Sequence, residues 1–199
     1  MIVLGNFRLV VYDKTLYKNI QRQSGVYNNF LPVEDINNRL DNLFGFYRSN
    51  NILDHSYYSL QARTHLNDVK NMIVFSNDLL YLTLIVFIMS TSVFIVKRKT
   101  INLFIAIQTS AAVTLIFFLL LGLGVLNYFE PLFTLFHQIV FRNELWLFRP
   151  DDTLIMLFPR QFFILFSLRL ATNIILTCIF LILLSFVLKR RILNARKRI

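Results

Sequence analysis

Three long apolar stretches without a charged residue dominate the hydrophobic pattern of the chain. They run from Leu79 to Val96, from Ile101 to Phe129 and from Leu170 to Leu188. Each approaches or exceeds the roughly 18 residues that a helix needs to cross the hydrocarbon core of a bilayer. A soluble protein of this size has too little other mass to bury three such helices. The pattern therefore predicts an all-α, polytopic membrane helix bundle with three visible spans.

The polar segment ahead of the first span, residues 12–71, has its own helical pattern. After Pro32 and two acidic residues, which are typical of a helix start, four apolar positions follow at helical spacing: Ile36, Leu40, Leu43 and Phe44. The stretch 59–75 also has a helical pattern that can continue into the span. We therefore expect short helices and loops in this segment.

The segment between the second and third spans combines an amphipathic helix with a turn. One face is apolar: Leu132, Leu135, Phe136, Ile139 and Val140. The other face is mixed: Thr134, His137, Gln138 and Phe141. This separation predicts a short helix in the outer membrane interface, and Trp146 adds the aromatic character of headgroup depth. Pro150 and Asp151 indicate a turn, after which Asp152 or Thr153 is expected to cap a helical turn over 154–157.

The charge distribution predicts the orientation of the spans. The hydrophobic fraction is 56% and the net charge is +10, but nearly all of the excess lies in Lys97–Lys99 and in the tail after Leu188. This concentration does not fit a nucleic-acid-binding surface, whereas short basic flanks of spans are retained in the cytoplasm, where the tail can also contact anionic lipids. The resulting segments are extracytoplasmic 1–76, span 77–96, cytoplasmic turn 97–100, span 101–126, extracytoplasmic loop 127–167, span 168–188 and cytoplasmic basic tail 189–199.

The outward-facing N-terminal segment requires a means of translocation. The apolar runs Ile2–Leu4 and Leu9–Val11 are interrupted by Arg8 and followed by Asp13, so they are too short for a signal peptide or a span. We expect either that a first span is missing, which would give four spans in all, or that the first visible span translocates the short segment by itself.

The histidines are the best candidates for chemistry. His55, His65 and His137 are all predicted on the extracytoplasmic side, and imidazole exchanges protons near neutral pH. Surface hydrogen bonding is the simpler alternative, and a metal site that also uses Asp68 is a weaker one. The single cysteine, Cys178, excludes an intramolecular disulfide and favours a packing role. Arg169 is expected to snorkel to the interface or to bind a lipid ester or phosphate.

Two blocks of sequence resemble the bacterial lipoprotein intramolecular transacylase family, Lit. The first is Thr64–Lys70, which contains His65. The second and more specific block is Phe136–Phe163, in which His, Asn, Trp, Asp and Phe-Pro occur in the order of the family. The resemblance begins near Tyr12. Two positions depart from the family pattern: Leu66, where methionine is usual, and Ala62, where an acidic residue is frequent.

The resemblance implies a metal- and cofactor-independent acyltransferase. The family moves the sn-2 acyl chain of a diacylglyceryl lipoprotein to the α-amino group of its N-terminal cysteine, so lipoproteins and membrane lipids are the implied partners. His137 is implied as the base and His65 as the polarising or proton-donating group, or the reverse. Substrate-binding or orienting roles are implied for a further set: Asp68, Arg142, Asn143, Trp146, Asp152 and Arg169. A non-catalytic lipid-binding or transporter-like protein is the alternative.

Overall fold

The computed structural model describes residues 1–28, 31–49 and 51–196, and within these ranges it is entirely helical, with no strand. The predicted all-α class is confirmed. The α-helices are α1 (Ile2–Val11), α2 (Lys14–Gln23), α3 (Val33–Arg48), α4 (Leu60–Val96), α5 (Thr100–Asn127), α6 (Phe129–Val140), α7 (Thr153–Leu157) and α8 (Arg160–Arg196), with a 3₁₀ turn at Val26–Asn28. Of the predicted basic tail, residues 197–199 lie outside the described ranges.

Three helices, α4, α5 and α8, are long and apolar enough to cross a membrane, as the hydrophobic pattern predicts. The chain reverses after α4 at Lys97–Lys99, where Arg98 adopts a left-handed conformation with φ 54°. Helix α5 ends at Asn127, four residues before Pro131, whose ring would clash with the Asn127 carbonyl in a continuous helix. The polar stretch before the first span belongs to the same helix as the span, which confirms the continuity expected over 59–75.

Helices α5 and α8 form the packed part of the bundle. Ala111 on α5 meets Ile174 and Cys178 on α8, and all three are fully buried. Small side chains at such a crossing let two helices approach closely in a membrane. The expected packing role of Cys178 is thus confirmed. The apolar half of α4, by contrast, exposes most of its side chains, as expected for a lipid-facing surface.

The helical cap consists of α1–α3, the first half of α4 and α7, and it packs around one apolar core. The predicted apolar face of α3 is buried in this core: Ile36, Leu40, Leu43 and Phe44. Arg39 on the same helix donates to the Tyr57 carbonyl at 2.6 Å, and the Tyr58 hydroxyl donates to the Arg39 carbonyl at 2.7 Å. These bonds attach the loop before α4 to α3.

Helix α1 docks on α8 and α4 through polar contacts as well as apolar ones. The Asn6 amide donates to the Thr177 hydroxyl at 3.2 Å, and Arg8 donates to the Asn77 side-chain carbonyl at 2.7 Å. The first contact fixes α1 beside the last span, and the second fixes it where the apolar half of α4 begins. The N-terminal apolar runs therefore form one ten-residue helix.

The predicted amphipathic helix of the 127–167 segment is α6. Its apolar residues Phe136 and Ile139 are exposed, whereas His137 is buried against the protein. Gln138, expected on the same face as His137, is exposed instead. After a loop, Asp152 caps α7 as predicted, because its carboxylate accepts the Leu154 N–H at 2.8 Å.

Candidate functional site

His65 lies in the polar first half of α4, five residues after the helix begins at Leu60 and well before its charge-free apolar stretch. The residue is only 7% exposed. Its ring lies edge-on to two aromatic rings, Phe141 at 5.0 Å and Phe148 at 5.6 Å between centroids. Its Nδ1 atom is buried and has no hydrogen-bond partner among the described residues. An unsatisfied buried polar atom of this kind costs about 1–3 kcal/mol, a cost that a bound polar group can remove.

His137 lies in the last turn of α6 and is also 7% exposed. Its Nδ1–H donates to the carbonyl of Phe133, one turn earlier, at 2.7 Å. A carbonyl only accepts, so this bond fixes the proton of the neutral ring on Nδ1 and leaves the lone pair on Nε2. The ring packs between Phe133 at 4.1 Å and Trp146 at 4.9 Å. His137 is therefore held in the tautomer and orientation of a base.

The two imidazoles face each other. Their centroids are 6.1 Å apart and their planes are nearly parallel, at 29°. His65 and His137 are 72 positions apart in sequence. They meet because the start of α4 and the end of α6 both lie at the cap side of the bundle. One polar substrate group between the rings can contact both of them.

Burial keeps both rings neutral. It lowers the pKa of His65 to about 4, with a further lowering from His137 and a partial opposing effect of Asp68. Burial also lowers the pKa of His137, opposed by the hydrogen bond to the Phe133 carbonyl. At neutral pH both rings are consequently neutral, each with a lone pair on one nitrogen.

A cavity of about 450 Å³ opens beside the histidines. Its walls come from the cap and from α5, α6 and α8, and nearly all of them are aliphatic or aromatic. The volume lies within the usual range of ligand sites. The histidine end of the cavity, defined by His65 and His137, supplies two of its few polar side chains. The arrangement suits a ligand with one reactive polar group and a long apolar part.

Polar bonds from α4 hold the loop that covers the histidine end. The Gln61 amide donates to the carbonyls of Leu145 at 3.1 Å and Leu147 at 3.0 Å, on either side of Trp146. The Asn143 amide donates to the Asp68 carboxylate at 3.0 Å. Helix α4 thus positions both His65 and the aromatic ring that stacks on His137.

The structure brings some of the sequence-predicted residues together and leaves others apart. Trp146 contacts His137, and Asp68 bonds Asn143 at the edge of the site. Asp152 accepts from the Ser59 hydroxyl at 2.9 Å besides capping α7. Arg142 is exposed in the loop. Arg169 is exposed on α8, and the described lining of the cavity does not include it.

The alternative metal site is not assembled in the part of the chain that the structure describes. His55 is 86% exposed beside Asp54, in the loop before α4. No group of three histidine, cysteine or carboxylate side chains with metal-binding geometry occurs in residues 1–28, 31–49 and 51–196. The three histidines therefore divide into one buried pair and one surface residue.

Sequence reasoning missed Gln61 and the contribution of α1 and α2 to the cavity, where Phe7, Val11 and Tyr17 form part of the wall. A signal for Gln61 was present, because it precedes His65 by four residues and so lies on the same face of α4. For Phe7, Val11 and Tyr17 the sequence holds no comparable signal, because the wall they form also depends on distant helices, such as α8, whose Phe162 contacts Tyr17.

Comparisons with known proteins agree with this architecture. The sequence profile of the family described as "Lipoprotein intramolecular transacylase Lit" matches residues 1–163, so the likeness begins before Tyr12. The solved structure of the membrane-integral transacylase Lit from Bacillus cereus is similar with a TM-score of 0.78 and 24% identity, covering 100% of this chain and 91% of that one. A variant of that protein with one histidine replaced by alanine gives a TM-score of 0.75.

A curated relative extends the comparison to a second organism. An uncharacterized protein of Aquifex aeolicus is 34% identical over 100 residues, which are 49% of this chain and 42% of that protein. The chain therefore matches less than half the length of this relative.

Proposed function

The chain belongs to the lipoprotein intramolecular transacylase family, Lit, and on this premise we propose that it transfers the sn-2 acyl chain of a diacylglyceryl lipoprotein to the α-amino group of the N-terminal cysteine. The product is an N-acyl, S-monoacylglyceryl lipoprotein. The observation that supports this proposal is the pair of stacked, buried histidines at one end of an apolar cavity.

The reaction needs three proton transfers and no reactant other than solvent. The α-ammonium of the cysteine first loses a proton, which passes through the base to solvent, and the resulting amine attacks the ester carbonyl. The nitrogen of the tetrahedral intermediate loses a second proton as the bond to the glyceryl oxygen breaks, and that oxygen takes up a proton and leaves as an alcohol. An ester and an ammonium thus become an amide, an alcohol and one proton released to solvent.

His137 is the proposed base. The Phe133 carbonyl holds its Nδ1–H, so the Nε2 lone pair is available for the ammonium proton. Trp146 packs against the same ring. An indole face near a protonated imidazole stabilises its positive charge by about 0.5–2 kcal/mol, so Trp146 supports the protonated state of His137 during the reaction.

His65 is the proposed partner that polarises the ester or protonates the leaving oxygen. Its low pKa makes the neutral ring the resting form. A neutral imidazole can donate its N–H to the developing oxyanion. The orphaned Nδ1 atom supplies a place for such a contact, because a bound polar group would satisfy it. The roles of the two rings can be exchanged without changing the proton balance.

The remaining candidates are proposed to orient rather than to react. Asp68 and Asn143 hold the loop of Trp146, and Asp152 holds the start of α7. Arg142, exposed beside the site, is proposed to contact the lipoprotein. Arg169 is proposed to contact lipid headgroups or esters at the membrane interface.

No covalent enzyme intermediate is proposed. The nucleophile and the ester belong to one substrate molecule, so holding it in a folded-back conformation replaces an encounter between two molecules. The cavity serves this purpose by keeping the acyl chain on the protein while the polar head reaches the histidines. We likewise propose that no metal participates, so a chelator is expected to leave the activity unchanged.

The site is proposed to face the extracytoplasmic side. Lys97–Lys99 and the basic tail are assigned to the cytoplasm by the positive-inside rule. The ends of α4 and α8 that carry the cap are then extracytoplasmic, at the membrane face where lipoproteins are anchored. The segment boundaries predicted from sequence are retained in this proposal.

Mass spectrometry of a lipoprotein tests the proposal. The chain is expressed in a bacterium that lacks N-acylation, and the N-terminal peptide of an abundant lipoprotein is analysed. We expect the N-acyl, S-monoacylglyceryl form with the unmodified chain and with His55→Ala, and only the diacylglyceryl form with His137→Ala. If the inserted, unmodified protein produces no lyso form, the proposal is wrong and a lipid-binding role is preferred.

A further inference from the structure

The lining of the cavity extends from the histidines to residues of the spanning helices α5 and α8. Its floor is formed by Phe118 and Gly122 on α5 and by Leu170 and Ala171 on α8. Immediately beyond this floor, the fully buried residues of the α5–α8 contact fill the space between the helices: Ala111, Ile174 and Cys178. The cavity is therefore closed at its inner end and polar at its outer end.

The depth of the floor follows from helix geometry. Val125 and Phe118 both line the cavity on α5, and seven residues of α-helix correspond to about 10 Å. The cavity thus descends about two turns along α5 from the level of Val125. This direction is that of a lipid chain, which runs from the interface toward the bilayer centre.

Gly122 occupies a special position in the floor. It lies four residues after Phe118 and three before Val125, on the same face of α5. A Cβ atom built at Gly122 meets nothing within 4 Å. A larger side chain at this position would therefore have room, and Gly122 itself lines the cavity. Glycine in the middle of a helix is less favourable than alanine, so its presence here agrees with a need for that space.

We infer that the floor binds the methyl end of the migrating acyl chain and that Gly122 and Phe118 set the longest chain that the protein accepts. This inference rests on the proposed function, which places the ester of that chain at His65 and His137. With the ester fixed at one end and the cavity closed at the other, chain length is measured by the distance between them. A chain that is too long draws its ester away from the histidines.

The expected size of the effect follows from methylene burial. One buried methylene contributes about 0.8 kcal/mol, which corresponds to about a fourfold change in binding. A phenylalanine ring at residue 122 would occupy the space of several methylenes. We therefore expect Gly122→Phe to lower kcat/KM for an octadecanoyl substrate at least about tenfold relative to a dodecanoyl substrate.

The test uses the purified full chain in lipid nanodiscs. The substrates are synthetic diacylglyceryl lipopeptides with one fixed sn-1 chain and an sn-2 chain of either dodecanoyl or octadecanoyl type. Gly122→Phe is compared with Leu123→Phe, which adds a ring at the next position of α5, where the side chain is exposed. We expect the wild type and Leu123→Phe to share one selectivity, and Gly122→Phe alone to favour the shorter chain.

Two further variants keep the test decisive if Gly122→Phe does not fold. Gly122→Leu should shift the preference in the same direction by a smaller factor. Phe118→Leu, which removes volume from the floor, should shift it toward the longer chain.

The outcomes separate this inference from the proposed function. An active wild type whose chain-length selectivity is unchanged in all three floor variants, or changed equally by Leu123→Phe, overturns the inference and leaves the proposed function in place. A correctly inserted wild type that converts neither lipopeptide overturns both.

Discussion

The two ends of the cavity differ in the way each is built. The histidine end is made of aromatic rings and hydrogen bonds, with His137 tied to Phe133 and the covering loop tied to Gln61. The floor is made of aliphatic and aromatic side chains and one glycine, none of which carries a polar side-chain atom. Under the proposed function, two different forces would recognise one substrate: directional bonds at the reacting group and apolar burial along its acyl chain.

Removing either buried histidine should have the largest effect at the histidine end. We expect His137→Ala and His65→Ala each to lower kcat/KM by about 10²–10⁴-fold, the usual contribution of a general acid or base. Selectivity between dodecanoyl and octadecanoyl chains should not change, because the floor is intact. His55→Ala is the matched control and should retain full activity. A uniform moderate loss in all three variants would contradict a specific role of the pair.

Removing the bonds that hold the loop should have the next largest effect. Gln61→Leu deletes two hydrogen bonds at about 0.5–1.5 kcal/mol each, so we expect a loss in kcat of about tenfold to a hundredfold. Trp146, the single tryptophan of the chain, should then report loop release as a red shift of its fluorescence. Gln138→Leu, at an exposed glutamine beside His137, is the control. If kcat falls without a spectral change, Gln61 does not act through the loop.

The smallest expected effect is a shift in the pH at which His137 becomes protonated. Because Trp146 stacks on His137, its fluorescence should be quenched as the imidazole is protonated. Burial lowers the pKa of His137, so the quenching midpoint should lie below the ordinary value of about 6.5. Because His137 then stays neutral, kcat/KM should also be retained below a pH of about 6.5. A midpoint at or above 6.5, or one unchanged in His137→Ala, would contradict the assigned environment.

The same pKa shifts predict the pH dependence of folding. Below about pH 6.5 the unfolded chain takes up protons at His65 and His137 that the folded chain does not. The free energy of unfolding should therefore fall as the pH drops from 6.5 toward 4, the folded-state pKa of His65. Replacing both histidines by alanine should reduce this slope, as measured by thermal unfolding in nanodiscs.

Most of the fold followed from local pattern. The spans, α3 with its buried Ile36 and Leu40, and the Asp152 cap of α7 all depend on residues close together in sequence, so periodicity and capping chemistry predict them. The docking of α1 through Asn6 does not follow in this way. Its partner, Thr177, lies on the last span, and a single sequence contains no signal that pairs such distant positions.

The candidate site was predictable only in its parts. The topology predicted from the sequence puts His65 and His137 on one side of the membrane, but their stacking depends on how α4 and α6 pack. Arg169 is a different case, because its place at the end of a span already predicted contact with the membrane interface, and its exposure on α8 is compatible with that prediction. The sequence pattern does not identify Gly122 as a cavity residue, since an apolar span tolerates glycine whether or not it lines a cavity.

The most direct test of the account measures both ends of the cavity in one experiment. The kcat/KM values for dodecanoyl and octadecanoyl lipopeptides are determined side by side for the wild type, His137→Ala and Gly122→Phe. We predict that His137→Ala loses activity equally on both substrates, whereas Gly122→Phe loses it only on the longer one. Two results would contradict this division of the cavity into a histidine end that carries the reaction and a floor that limits chain length. They are equal losses for Gly122→Phe on both substrates and a changed chain preference in His137→Ala.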